Sequence, residues 1–274
     1  MTLELGLLRL AICLYLGATV AALLGIAVRR ELPRTLLPRL LWAALAGHAA
    51  SIAVRSASAG HLAVTTFDEA LSFLALLLVA LFLLVQLRRP LVALGAVVSP
   101  LAFGLTLAAD AVYLGARPLP PVLDSAWLPV HVVLSSLGDA VFALAFSASL
   151  LYLVQERRLK AHRARGVLRY LPSLETLDRL NYRCLVWGLI LLTLGIVSGI
   201  IWAHTAWGRF WSSDPKLVFS MVTWAIYVVL LQGRMTAGWR GRWAATLTIA
   251  GFAAIVLSLV GVNVLGLGNH GKAF

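Results

Sequence analysis

Apolar residues run almost unbroken for about 18 to 22 positions at a time, and eight such runs follow one another, each closed by a short polar or basic stretch. They fall near 5–27, 36–54, 67–87, 91–109, 131–154, 184–203, 217–232 and 243–262. A helix rising 1.5 Å per residue needs a run of this length to cross a hydrocarbon layer about 30 Å thick. Backbone amides inside lipid must find their partners within the segment, which favours helices. A closed barrel would instead alternate apolar and polar residues in pieces of roughly ten. The pattern predicts an all-α integral membrane protein. It is a bundle of about eight transmembrane helices, with a short amphipathic tryptophan-rich segment on one surface and a single domain over residues 1–274.

Local signals mark several boundaries. Thr66-Phe67-Asp68-Glu69 reads as a capping box, with Thr66 as N-cap and Glu69 reaching back, so the third span starts there. Asp214-Pro215 places a capping carboxylate before a proline at the first helical position of the seventh span. Pro118, Pro120, Pro121 and Pro129 stiffen the connection that leads to His131. The longest connection, 155–183, is basic and partly helical in pattern, and suits an anionic lipid surface. No internal repeat or second domain is visible.

Composition agrees: 61% of residues are hydrophobic, 12% are charged, and mean hydropathy is +0.92. The net charge of +12 changes the picture only through its placement. Of 23 lysines and arginines, 17 fall in alternate connections: Arg29 to Arg39, Arg88 and Arg89, Arg157 to Arg183, and Arg234 to Arg242. By the positive-inside rule that side is cytoplasmic, so both termini lie outside, as in a multi-pass protein of the bacterial cytoplasmic (inner) membrane. No soluble basic domain exists to bind nucleic acid, which is excluded as a partner; lipids are the natural neighbours. Cys13 and Cys184 sit in or beside apolar runs, and no Cys-x-x-Cys-His motif is present. The N-terminus, with Glu4 and no basic stretch, does not read as a cleavable signal.

Residues 202–216 form the outer-face segment of most interest. It carries Trp202, His204, Trp207, Arg209, Trp211, Asp214 and Lys216. If it is helical, His204, Trp207 and Trp211 share one face and offer ring surfaces to a flat apolar ligand. Arg209 and Lys216 then meet carboxylates on that ligand, or lipid phosphates. Heme fits such a shelf; an interfacial aromatic belt fits it too. His131 and His270 both fall on the same side, and two imidazoles over one shelf would give six-coordinate heme iron. His48, inside the second span, is either a functional intramembrane group or a hydrogen bond to a neighbouring helix. Asp139, two turns below His131, is either a proton-handling carboxylate or a structural one. His61 and His162 read as solvated. No nucleophile triad, phosphate loop or His/Cys metal cluster appears.

The segment Trp207-Gly-Arg-Phe-Trp211-Ser-Ser-Asp214-Pro215-Lys216-Leu217 resembles the tryptophan-rich WWD signature of the heme-handling proteins of cytochrome c biogenesis, the CcsA/ResC and CcmC group. So do Thr66–Phe73, Leu174–Tyr182, Gly195–Trp207, Gly238–Arg242 and Gly261–Val264, and eight spans match the CcsA type. The resemblance implies that His131 and His270 ligate a transiently held heme b on the outer face. It implies a membrane partner of the CcsB/ResB kind with a large outer domain, and delivery of heme to apocytochrome c. It leaves open whether the chain is the membrane subunit of a cytochrome c synthase, since no side-chain catalysis is identified. The chain departs from the pattern where Ser213 replaces a tryptophan, Leu217 a glutamate and Gln232 a histidine common in relatives, and in the tail, Gly268-Asn-His270-Gly-Lys-Ala in place of Gly-Leu-His-Ser-Tyr-Gly. These keep an alternative in view, a HemX-like regulatory or assembly protein of heme metabolism without attachment activity. A redox subunit with hemes inside the bundle would need paired intramembrane histidines, and His48 stands alone.

Overall fold

The computed structural model describes residues 2–28, 32–88, 91–115, 117, 119, 125–161, 172–208 and 215–261, with backbone alone for 26–28, 32–34, 206 and 207. Among these residues eight α-helices follow one another: α1 (Leu3–Val28), α2 (Leu32–Ala59), α3 (Phe67–Arg88), α4 (Gly95–Ala111), α5 (Trp127–Lys160), α6 (Leu174–Trp207), α7 (Pro215–Thr236) and α8 (Arg242–Val256). A 3₁₀ turn precedes α4, and a π turn, Leu257–Gly261, extends α8. Eight helical stretches are long and apolar enough to cross a bilayer, so the chain is a multi-pass membrane protein.

The helices are longer than the apolar runs that announced them. At 34 residues each, α5 and α6 span about 51 Å and outrun a 30 Å core. Much of the stretch 155–183 is therefore helix rather than connection. Ser173 caps α6 by accepting from the Thr176 amide at 3.2 Å, and i,i+4 pairs hold the polar ends: Lys160 with Glu156, Arg179 with Glu175. Residues 162–171 lie outside the described residues. α5 begins at Trp127, so Pro129 sits in its first turn, where a missing N–H costs nothing, and His131 lies one turn inside the helix.

Two groups of four helices make the bundle. α1 packs on α2 and α4, with α3 against α4; α5 packs on α6 and α8, with α7 against both. The contact of α3 with α5 joins the two groups. The α5–α6 seam is set by glycines that let backbones approach. A Cβ on Gly138 would come 3.2 Å from the Leu192 nitrogen, and one on Gly188 would lie 2.7 Å from the Phe142 ring.

Each group carries a buried polar clamp. At the end away from the basic loops, Arg55 pairs with Asp68 and Glu69, both at 2.8 Å, donates to the Gly115 carbonyl and lies over the Tyr113 ring. Tyr113 in turn donates to Glu4 on α1. At the basic end, Arg234 on α7 pairs with Asp178 and donates to Asn181 of α6, which donates to Ser149 of α5 and Thr248 of α8. The expected capping box is half formed. Glu69 does accept from the Thr66 amide at 3.1 Å, but the Thr66 hydroxyl donates to Asp68 instead. The Arg55 charge holds both carboxylates together, so Asp68 stands ready to take that hydroxyl.

Candidate functional site

A cavity of about 160 Å³ opens at the end opposite the basic loops, where α3 and α7 begin and α6 and α8 finish. A water needs roughly 10–15 Å³ on this scale, so the space takes the edge of a ligand and not merely one solvent molecule. Its walls are apolar, with Leu74, Val132, Leu192, Ile196 and Ile200, and it is polar at His131, Asp139, Lys216 and a few hydroxyls. It lies between the two groups of helices, because its lining comes from α3 on one side and α5 to α8 on the other.

His131 is held from three sides. Its Nδ1 meets the Gly195 carbonyl at 2.8 Å, and the Ser135 hydroxyl lies 3.4 Å from the same nitrogen. The ring rests on Gly199, where an added Cβ would come within 2.7 Å of Cε1. Trp202 stacks nearly parallel, at 10° with centroids 6.0 Å apart. Trp202 is itself buried, packed with Leu128, and so it braces the imidazole from within rather than offering an open face.

Asp139, half-buried on α5, reaches the cavity, and the Lys216 ammonium at the start of α7 interacts with it electrostatically. Leu217 lines the same cavity. Thr223, a further lining residue, is buried and its hydroxyl has no hydrogen-bond partner among the described residues.

The other predicted residues divide clearly. α6 ends at Trp207, and Gly208 takes a left-handed conformation (φ 68°) that closes the helix. The single helical stripe through His204, Trp207 and Trp211 is thus interrupted, and His204 sits exposed in the last turn. The Trp207 side chain, Arg209, Trp211, Asp214 and His270 lie outside the described residues. Pro215 does start α7, as its fixed φ suits a first helical position. His48 is not at the cavity. It is buried between α1, α2 and α3, with Nδ1 3.2 Å from the Tyr15 hydroxyl and Nε2 2.8 Å from that of Ser72, so it is a helix-to-helix link. Gln232 is exposed on the bundle surface, so the absent imidazole there leaves the cavity unchanged.

Sequence reasoning missed Gly195, Gly199, Ser135 and Thr223. The spacing of Gly188, Gly195 and Gly199 along one helical face was a signal for a close helix contact. Nothing in the chain marks Thr223.

Comparison with known proteins matches residues 64–270 to the family model described as cytochrome C assembly protein. The chain belongs to that family. The cytochrome c biogenesis protein CcsA of Synechococcus sp. (strain CC9605) is 33% identical over 246 residues, 81% of each chain. That of Guillardia theta is 33% identical over 240 residues, 80% of this chain and 79% of its own. A solved chain of the cytochrome c heme lyase CcmF shares the fold, with a TM-score of 0.69 at 19% identity. It covers 94% of this chain, which spans only 47% of that longer one. Every cavity residue, from Val64 to Leu259, falls within the matched family region.

Proposed function

We propose that this chain is the heme-presenting membrane subunit of cytochrome c maturation. The basic end faces the cytoplasm of a bacterial cell, and the cavity end with both termini faces outward. Heme b lies there as cargo, its iron held by His131 and His270, with Trp207 and Trp211 along its faces and Arg209 and Lys216 at its propionates. A membrane partner with a large outer domain completes the site and brings apocytochrome c. Two imidazoles keep the iron six-coordinate until the apocytochrome histidine replaces one. Each thiol then adds across a vinyl group: an S–C bond forms at one carbon and the thiol proton moves to the other. Positioning supplies most of what this addition needs.

His131 carries this reading. It is an imidazole braced at the rim of an apolar cavity that also holds a lysine, in a chain of the cytochrome c assembly family. The apolar walls and the cation at Lys216 fit a flat hydrophobic ring with acidic edges. Purification from heme-replete cells tests it. The wild-type protein retains low-spin heme absorption, and His131→Ala and His270→Ala each lose it; a colourless wild-type protein overturns the proposal.

A further inference from the structure

We infer that the Gly195 carbonyl, reached through the notch at Gly199, fixes His131 as a ligand through Nε2 and strengthens it; the inference rests on the heme reading above. A carbonyl oxygen can only accept, so the 2.8 Å contact makes His131 Nδ1 the donor. In a neutral imidazole the lone pair is then on Nε2, the nitrogen that coordinates metal. Metal-bound histidines regularly donate their second N–H to a carbonyl or carboxylate, which orients the ring and raises its basicity; losing that partner costs 10–100-fold in affinity.

This acceptor is a helix-interior carbonyl. The side chain of Ser198 also donates to it, at 2.9 Å. An imidazole from a neighbouring helix reaches such an oxygen only where the intervening surface is bare. Gly195 and Gly199 are one helical turn apart and leave that surface bare. A Cβ at 199 would meet Cε1 at 2.7 Å and Nδ1 at 2.8 Å, and so would push aside the edge of the ring that makes the bond, while Nε2 stays 3.4 Å away. Gly199 is thus a positioning residue: it touches neither iron nor substrate, and acts through His131.

Gly199→Ala tests this, with Gly188→Ala as control, because the latter strains the same seam against Phe142 and not against His131. Two readouts are needed. In heme-free protein, ¹⁵N NMR of labelled histidine reports which ring nitrogen carries the proton. In heme-loaded protein, the rate of heme loss to a soluble apo-hemoprotein trap reports ligand strength. The expected result is Nδ1–H in the wild type, with heme lost 10–100-fold faster and a partial shift to a high-spin spectrum in Gly199→Ala alone. An Nε2–H tautomer in the wild type overturns the inference. So do equal loss rates in wild type and Gly199→Ala, or equal acceleration in both variants. A wild type that shows Nδ1–H yet binds no heme sinks the functional reading and, with it, the ligand role.

Discussion

Replacing Arg55 by methionine probes the clamp that shapes one wall of the cavity. The guanidinium is buried between two carboxylates, with side-chain exposures of 9% for Arg55, 1% for Asp68 and 2% for Glu69. Methionine fills much of the same volume, so the loss is mainly electrostatic: two buried carboxylates lose their counter-ion. Removing one partner of a buried pair costs about 3–5 kcal/mol. Glu69 keeps its bonds from the Thr65 amide and hydroxyl and the Thr66 amide, which offsets part of the cost and holds the expected value within that range. Combining Arg55→Met with Asp68→Asn and Glu69→Gln removes the stranded charges and recovers most of the loss. Unfolding in detergent mixtures of rising dodecyl sulfate content, followed by circular dichroism, measures both. Arg179→Ala is the reference, since its pair with Glu175 is exposed and is worth at most about 1 kcal/mol. If Arg55→Met costs no more than Arg179→Ala, or if the triple variant is worse than the single one, the buried-charge reasoning is wrong.

Three further outcomes follow from the same geometry. His48→Leu strands the Tyr15 and Ser72 hydroxyls and lowers stability by about 1–3 kcal/mol in the same unfolding assay, while the heme spectrum is unchanged. In the heme arrangement proposed above, Lys216→Gln removes a charge-assisted contact worth about 1.5–3 kcal/mol and weakens heme retention by roughly 10–100-fold, read as heme loss to the apo-hemoprotein trap. Gly188→Ala drives a methyl into the Phe142 ring and costs about 1–3 kcal/mol, with no change in ligation.

The spans were legible because lipid imposes one solution on backbone hydrogen bonds, and long apolar runs report it directly. Their ends were not. Trp127 to Pro129 and Leu174 to Arg183 are polar or broken in pattern, yet helical. Capping and i,i+4 pairs extend helices beyond the hydrocarbon without leaving an apolar trace. Asp139 and Lys216 stood out as charges in or beside apolar runs, and the structure brings both to one cavity. His48 stood out by the same rule but belongs to a hydrogen-bonded link instead. Periodicity says that a histidine is inside and not what it faces. Trp202 was read as part of a surface shelf. It turned inward because α6 continues through it, and position 202 then shares the helix face of Gly195 and Gly199 that packs against His131 and Ser135 of α5.

The two polar clamps explain why the cavity lies where it does. The Arg55 cluster ties α1 to α4 together at the cavity end, and the Arg234 cluster ties α5 to α8 at the basic end. Each group is therefore pinned at opposite ends of the bundle. At the cavity end the second group shows no clamp of the Arg55 or Arg234 kind among the described residues; the attraction between Lys216 and Asp139 and the glycine contacts between α5 and α6 act there instead. Apolar packing and hydroxyls leave room there that a salt-bridge network would fill. His131, Asp139 and Lys216 occupy this looser corner, on three turns that no clamp crosses. Leu217 keeps the wall beside Asp139 and Lys216 apolar.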